Sequence, residues 1–85
     1  MRLDKFLKVS RILKRRTVAN EACHGGKVSV NGKVAKPGAK IKQGDIVTIC
    51  FATGRLVFVV NEIRESVKKE DAIKMYTIIE DDIEQ

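Results

Sequence analysis

Residues 1–34, MRLDKFLKVSRILKRRTVANEACHGGKVSVNGKV, change midway from helical to strand periodicity. Leu3, Phe6 and Leu7 recur at the spacing of one helical face, which predicts a short helix over residues 3–9. The apolar side of this helix would pack against a core and leave the cations of the other side in solvent. The sequence therefore predicts an amphipathic first helix that presents positive charge.

A second helix and a hairpin are predicted to follow directly. Thr17 is a good N-cap for a helix that runs through Cys23, and the two glycines just beyond it supply a left-handed stop. Residues 27–30 then alternate with period two, and Asn31-Gly32 is the strongest short hairpin signal. These signals predict two short helices followed by a β-hairpin.

The second half of the chain has the composition of strands separated by turns. Residues 46–51 and 56–60 are rich in β-branched and aromatic side chains, which favour strands. Residues 68–75 are compatible with a brief helical turn, and residues 76–79 predict an edge strand. The predicted fold class is α+β, with two N-terminal short helices packed on a small mixed, mostly antiparallel sheet.

Eighty-five residues are enough for one domain with a modest core. A single domain is predicted over residues 1–79, with its core motif in residues 1–50, and the acidic residues 80–85 are expected to form a frayed tail. The hydrophobic content of 44% argues against a disordered basic peptide. A large catalytic cleft does not fit easily into a domain of this size.

Positive charge is concentrated in the first part of the chain. Residues 1–50 contain twelve Lys/Arg and three acids, residues 51–85 contain five and eight, and the two parts contribute +9 and −3 to the net charge of +6. Such a concentrated field attracts a polyanion, and nucleic acid is the commonest such partner. A merely solvated charged face is the alternative, but clustering of one sign of charge argues against it.

Several other function classes have little support in the sequence. A single histidine and the absence of a Ser/His/Asp set argue against an enzyme. Cys23, His24 and Cys50 lack metal-ligand spacing, so no metal or other cofactor is expected, and both cysteines are expected to be reduced and buried. Apolar runs are too short for a membrane span and no signal-peptide core is present, which predicts a cytoplasmic protein without membrane contact.

Two binding alternatives stay open at this point. A DNA-binding helix-turn-helix protein would suit two short helices with a basic connection, but from Val18 to Cys23 only Asn20 and Glu21 are polar. A peripheral membrane binder needs bulky exposed apolar residues beside the cations, and the first helix uses those residues for the core.

Five separately placed segments resemble a known RNA-binding family. They are Arg2-Leu3-Asp4, Arg16-Thr17-Val18-Ala19, Gly26-Lys27-Val28-Ser29-Val30-Asn31-Gly32, Lys36-Pro37 and Gly44-Asp45. In this order they resemble the αL RNA-binding motif, the module named for ribosomal protein S-four. The resemblance implies two helices followed by a small sheet, with structured RNA bound by the helix pair and the adjoining hairpin.

The resemblance and the clustered charge together predict the residues that contact RNA. The predicted site comprises Arg2, Lys5, Lys8, Arg11, Lys14, Arg15, Arg16, Thr17, Lys27, Asn31 and Lys33. Asp4 is expected to orient a neighbouring arginine, since a carboxylate that faced phosphate would repel it. Phe6 and Phe58 are expected in the core, so recognition should depend on RNA shape and phosphates, not on base stacking.

Within this superfamily the chain is similar to small free-standing bacterial members that associate with the large ribosomal subunit. Its short length and residues 68–78 favour the ribosome quality-control branch over the heat-shock branch. The resemblance then implies binding of rRNA and peptidyl-tRNA on stalled large subunits, and support for C-terminal alanine tailing beside a factor that recruits alanyl-tRNA. It also implies a monomer off the ribosome. A general rRNA-binding heat-shock or ribosome-assembly protein is the alternative.

Overall fold

In the computed structural model, which describes residues 1–82, the helices pack on one face of an open five-stranded sheet. The elements in chain order are α1 (Leu3–Val9), α2 (Arg16–His24), β1 (Val28–Val30), β2 (Lys33–Val34), β3 (Ile46–Phe51), β4 (Gly54–Val60), a 3-10 helix (Lys69–Met75) and β5 (Tyr76–Asp81). The predicted α+β class, the helix pair and the hairpin are confirmed.

The sheet has the strand order β2-β1-β3-β4-β5. Every strand pair within residues 1–82 is antiparallel, so the sheet is not mixed in the part of the chain that the structure describes. β3 and β4 form its central hairpin, which extends from Ile46 paired with Val59 to Phe51 paired with Gly54. This central pair provides the platform on which the helices pack.

The apolar side of α1 lies in the core, as its spacing predicts. Leu3, Phe6 and Leu7 are fully buried. Phe6 stacks on Phe58 of β4 with ring centroids 6.2 Å apart, and Phe58 meets Tyr76 edge-on at 5.8 Å. Aromatic pairs in this range add to the stability gained by burial. These core contacts hold α1 against the sheet and leave its basic side outward.

α2 begins earlier than the sequence predicts. An N-cap is the last residue outside the helix, and Arg16 is already helical, so Arg15 is the cap and Thr17 lies within the first turn. The Thr17 cap prediction is therefore wrong. The predicted stop is confirmed at Gly26, whose φ of 73° is in the left-handed region that glycine adopts freely.

The connection between α1 and α2 is a tight turn ordered by backbone hydrogen bonds. The Arg11 amide donates to the Lys8 carbonyl at 3.0 Å, and the Leu13 amide donates to the Leu7 carbonyl at 3.0 Å. Arg11 has a φ of 63°, in the left-handed region that residues with a β-carbon rarely adopt. The turn therefore holds a basic residue in a conformation that glycine would adopt more easily.

The brief helical turn predicted near residue 70 is the 3-10 helix. Its Ala72 and Met75 are buried, and Met75 joins the main core cluster. Because these two side chains anchor the segment, its exposed residues, including Lys69, are held beside the α1–α2 turn.

β5 is longer than the sequence predicts. It continues to Asp81, two residues beyond the predicted end, because β4 offers pairing partners there. Arg55 of β4 adds an ion pair to Glu80 at 3.0 Å. A frayed tail was expected over residues 80–85, but residues 80 and 81 are part of β5. Residues 83–85 lie outside the described residues.

The two cysteines differ in environment. Cys23 is buried as expected, and burial raises the pKa of its thiol. Cys50 is exposed, contrary to the prediction. Successive residues of a strand point to opposite faces of the sheet, so Cys50 points away from the core that contains its neighbour Ile49.

Candidate nucleic-acid interface

A buried carboxylate organises two of the predicted arginines. The Asp4 side chain is only 2% exposed. Its Oδ1 accepts hydrogen bonds from Arg2 Nε at 3.1 Å and from Arg16 Nη2 at 3.5 Å. Its Oδ2 accepts from Arg2 Nη2 at 3.2 Å and from Asn20 Nδ2 at 3.3 Å. These contacts join α1 to α2, so the packing of the helices sets the spacing of the two guanidinium groups.

The Asp4 carboxylate is charged at neutral pH. Burial raises the pKa of Asp4, but hydrogen bonds from Arg2, Asn20 and the Lys5 amide act against burial. The positive charge of Arg16 adds to these bonds, so the net pKa of Asp4 lies below its ordinary value. The expectation that Asp4 orients an arginine is confirmed, and it contacts two.

Arg2 and Arg16 remain available to a ligand despite this contact. Their side chains are 53% and 49% exposed, and both lie against the same carboxylate. One negative charge cannot neutralise two guanidinium groups, and each guanidinium carries five N–H donors. The pair therefore presents a net positive charge and unused donors on one side of the molecule.

Two clefts meet at Arg2 and Asn20. The first, of about 430 Å³, is lined by Arg2, Asp4, Arg16, Thr17, Asn20 and Glu21. The second, of about 770 Å³, shares Arg2 and Asn20 with the first and adds His24, Lys33 and Lys36 among its lining residues. Since they share two residues, we treat them as one continuous helix–hairpin groove. It extends from the start of α2 to β2 and the loop that follows.

The loop after the hairpin positions Arg2 in this groove. The Leu3 amide donates to the Ala39 carbonyl at 2.8 Å, and Arg2 forms a β-bridge with Lys40. A β-carbon placed on Gly38 would lie 3.7 Å from the guanidinium carbon of Arg2, so this side chain rests on the loop. The position of Arg2 thus depends on a segment that is distant in sequence.

Three other predicted residues form a second basic cluster. Lys8, Arg11 and Lys14 are exposed and line a depression of about 490 Å³ near the end of α1. Lys69 from the 3-10 helix lines the same depression. None of the four lines the helix–hairpin groove.

Asn31, another predicted RNA contact, is occupied within the fold. Its Nδ2 donates to Asp45 Oδ1 at 3.1 Å, and its Oδ1 accepts from the Ile46 amide at 2.9 Å. Its φ of 51° is the left-handed conformation that the hairpin turn requires. Asn31 therefore connects the hairpin turn to β3 and is not among the residues that line the groove.

The remaining predicted residues are separate from both basic sites. Lys5 forms an ion pair with Glu65. Lys27 lines a smaller depression beside Phe51 and is not among the residues that line the groove. Arg15 is exposed at the start of α2, next to Arg16. The structure thus divides the eleven predicted residues between two basic sites and several isolated positions.

Four side chains of the two basic sites that can donate hydrogen bonds to phosphate were not predicted: Asn20, His24, Lys36 and Lys69. Asn20 and His24 follow Arg16 at intervals of four residues, which places all three on one side of α2; this spacing was a usable signal. Lys36 lies in one of the segments that resemble the RNA-binding family, which was also a usable signal. Lys69 had none, because only the folded chain brings it to the cluster.

Two further findings concern metals and membranes. Within residues 1–82, no three His, Cys, Asp or Glu side chains are grouped so that they could hold a metal ion. In the same part of the chain, no helix has the length and apolar character needed to cross a membrane.

Comparison with known proteins shows the family to which the chain belongs. The S4 domain family matches residues 1–47. The chain is 48% identical over 82 residues to the RQC P-site tRNA stabilizing factor of Bacillus subtilis, covering 96% of this chain and 95% of that protein. It is 53% identical over 79 residues to the protein of the same name from Streptococcus pneumoniae, covering 93% of this chain and 90% of that one.

A solved structure shares the fold. The trimeric structure of Vibrio cholerae heat shock protein 15 superposes with a TM-score of 0.85 at 29% sequence identity. The match covers 92% of this chain and 80% of that chain, so the likeness includes the C-terminal strands as well as the helix pair.

Proposed function

Because the chain belongs to the S4-domain family and to the family of RQC P-site tRNA stabilizing factors, we propose that it binds tRNA and rRNA on stalled large ribosomal subunits. Its role in this proposal is to hold RNA and not to catalyse a reaction. The site of action is the cytoplasm, where ribosomes translate.

The observation that supports this proposal best is the arrangement of Arg2 and Arg16 on Asp4. Both guanidinium groups are held by a buried carboxylate before any ligand arrives. A side chain ordered in advance loses less conformational entropy on binding, and guanidinium forms bidentate bonds with phosphate. The groove is therefore suited to a folded RNA whose phosphates have a defined spacing.

The charge along the groove favours contact with an RNA backbone. Arg2 and Arg16 lie near the helix pair, and Lys33 and Lys36 lie near the hairpin. Phe6 and Phe58 are buried and offer no face to an unstacked base. We expect the groove to bind structured RNA through phosphates and shape, with little dependence on base sequence.

We further propose that the chain holds the peptidyl-tRNA of a stalled large subunit while a second factor recruits alanyl-tRNA. Alanine residues are then added to the C-terminus of the nascent chain. Off the ribosome the chain is a monomer. The name shared by its relatives supports the contact with P-site tRNA.

A heat-shock role in general rRNA binding is the second candidate, and the match to heat shock protein 15 favours it. The two roles differ in which subunits are bound. A quality-control factor selects large subunits that still carry peptidyl-tRNA, whereas a general rRNA-binding protein does not require the tRNA.

The experiment is a pull-down of the tagged protein from growing cells, followed by analysis of the RNA that is retained. We expect large subunits with peptidyl-tRNA and no enrichment of small subunits. Arg16→Ala should lose this material, and Lys42→Ala, which removes one exposed charge outside the groove, should retain it. Equal recovery with Arg16→Ala and wild type would show that the groove is not the binding site.

A further inference from the structure

The second basic cluster is built from three separate parts of the chain. Lys8 is at the end of α1, Arg11 and Lys14 belong to the α1–α2 turn, and Lys69 begins the 3-10 helix. All four side chains are exposed around one depression of about 490 Å³. Lys69 lies beyond residues 1–47, which the S4 domain family matches, so the cluster combines that domain with the C-terminal segment.

The cluster has no internal charge compensation. None of its four cations forms an ion pair in the part of the chain that the structure describes, whereas Arg2 and Arg16 share Asp4 and Lys5 pairs with Glu65. Like charges around one depression repel each other and raise the local positive potential. A bound polyanion would relieve this repulsion.

The backbone conformation at Arg11 is a second, independent feature that points to a role for this cluster. Its φ of 63° is unfavourable for a residue with a β-carbon, and glycine would adopt it without strain. The hydrogen bonds from the Arg11 and Leu13 amides hold this conformation. A guanidinium group is thus kept at the one position of the turn where the backbone alone would favour glycine.

The 3-10 helix holds the fourth cation firmly at the cluster. Met75 at the end of this helix is fully buried in the main core, and Ala72 is buried beside it. Lys69 therefore does not lie on a loose surface segment, and its distance from the α1–α2 turn is set by core packing. The neighbouring Lys68 is also exposed but does not line the depression.

We infer that Lys8, Arg11, Lys14 and Lys69 form a second binding site for the phosphates of an RNA backbone, independent of the helix–hairpin groove. The inference rests on the proposed function, because it takes RNA as the polyanion. Arg2 and Lys8 are six residues apart, about 9 Å along a helix axis. The two sites therefore lie at opposite ends of α1 and can contact different phosphates at the same time.

The first test compares two adjacent lysines. Lys69→Gln and Lys68→Gln remove the same charge at neighbouring exposed positions, but only Lys69 lines the cluster. Binding to purified large subunits and to a tRNA transcript is measured from low to high salt. Lys69→Gln should weaken binding about fivefold to at least one of the two and lower the log–log salt slope by about 0.9, one phosphate contact. Lys68→Gln should stay within about twofold of wild type.

The second test separates binding from stability at the strained turn. Arg11→Gly removes the guanidinium and also relieves the backbone, so the urea midpoint should stay unchanged or rise. RNA affinity should nevertheless fall about fivefold, as for Lys69→Gln. Unchanged affinity in Arg11→Gly, or equal effects of Lys69→Gln and Lys68→Gln, would overturn the second site.

Control measurements distinguish this failure from failure of the proposed function. One outcome would overturn the second site alone: wild type binds subunits or tRNA, Arg16→Ala loses that binding, and Lys69→Gln binds as Lys68→Gln does. If wild type binds neither RNA, both proposals are wrong. Flotation with phosphatidylserine vesicles tests another polyanion: loss of flotation in Lys69→Gln with unchanged RNA binding would assign the cluster to a membrane surface and overturn the inference.

Discussion

Asp4 is an acidic residue at the centre of a basic surface, and the structure explains why it is there. Without it, Arg2 and Arg16 would repel each other and would each adopt many conformations in solvent. The buried carboxylate holds both at once, and four hydrogen bonds from the Arg2, Arg16 and Asn20 side chains offset its loss of solvation. The negative charge of Asp4 slightly reduces the electrostatic attraction to RNA, but it fixes the positions of the Arg2 and Arg16 guanidinium groups.

Asp4→Asn tests whether geometry or total charge governs binding. The substitution raises the net charge by one, so a purely electrostatic surface would bind RNA more tightly. We expect instead about tenfold weaker binding, because Arg2 and Arg16 lose their common anchor, and a loss of about 1–3 kcal/mol in the free energy of unfolding. Urea unfolding and tRNA binding measure the two effects.

The matched control for Asp4→Asn is Asp71→Asn, which raises the net charge equally but breaks only the contact with Lys74 on the 3-10 helix. RNA binding of Asp71→Asn should be equal to or tighter than that of wild type. Tighter binding by Asp4→Asn would contradict the anchoring role.

The lowered pKa of Asp4 also predicts an acid-sensitive part of the stability. A carboxyl group whose pKa is lower in the folded state stabilises the fold above its ordinary pKa of 3.8, and this contribution is lost as the pH falls through the folded pKa. Wild type should therefore keep this contribution from pH 7 to pH 5 and lose it below about pH 4. In urea titrations over this range, Asp4→Asn should have a smaller loss of stability on acidification than wild type.

At the scale of the element, the hairpin shows how one side chain joins neighbouring strands. Asn31 supports the turn between β1 and β2 through its backbone conformation, and its side chain reaches Asp45 and the Ile46 amide at the start of β3. Asn31 was also predicted from the sequence to contact RNA. Its two internal bonds favour a structural role.

Asn31→Gly separates these two roles. Glycine keeps the left-handed backbone but removes both side-chain bonds, so the free energy of unfolding should fall by about 1–2 kcal/mol. RNA affinity, measured well below the urea midpoint, should stay within about twofold of wild type. A larger loss of affinity in the folded variant would instead assign Asn31 to the RNA interface, as the sequence predicted.

On the scale of the whole molecule, positive and negative charge lie on different elements. The two basic sites lie at the helix pair and the segments beside it, while Glu80 and Asp81 lie in β5, an edge strand of the sheet. A polyanion approaching this molecule is attracted to the helix side and repelled from the acidic edge. The charge separation orients the encounter before any specific contact forms.

Salt dependence tests this view of the molecule as a phosphate-binding surface. If four to six cations neutralise phosphates, the logarithm of the binding constant should fall with the logarithm of salt concentration with a slope of roughly −3 to −5. Arg2→Ala and Arg16→Ala should each make the slope shallower by about 0.9, whatever the base sequence of the RNA. A slope near zero would mean that apolar or base-specific contacts dominate.

Local patterns in the chain were sufficient to predict the helix over residues 3–9, the hairpin around Asn31-Gly32 and the strand over residues 46–51. Each depends on interactions between residues a few positions apart, which periodicity and turn chemistry record directly. The resemblance to the αL RNA-binding motif and the excess of positive charge in residues 1–50 could also be recognised, because they are properties of the sequence itself.

Long-range packing decided what local patterns could not. Lys69 joins Arg11, and the loop at Gly38 supports Arg2, because the helices and the C-terminal segment pack on one sheet. The Asn31 side chain bonds to Asp45 and to the Ile46 amide because β3 passes beside it. Such contacts join groups that are far apart in sequence, and their geometry depends on how all the apolar surfaces are buried together, which no short window of residues contains.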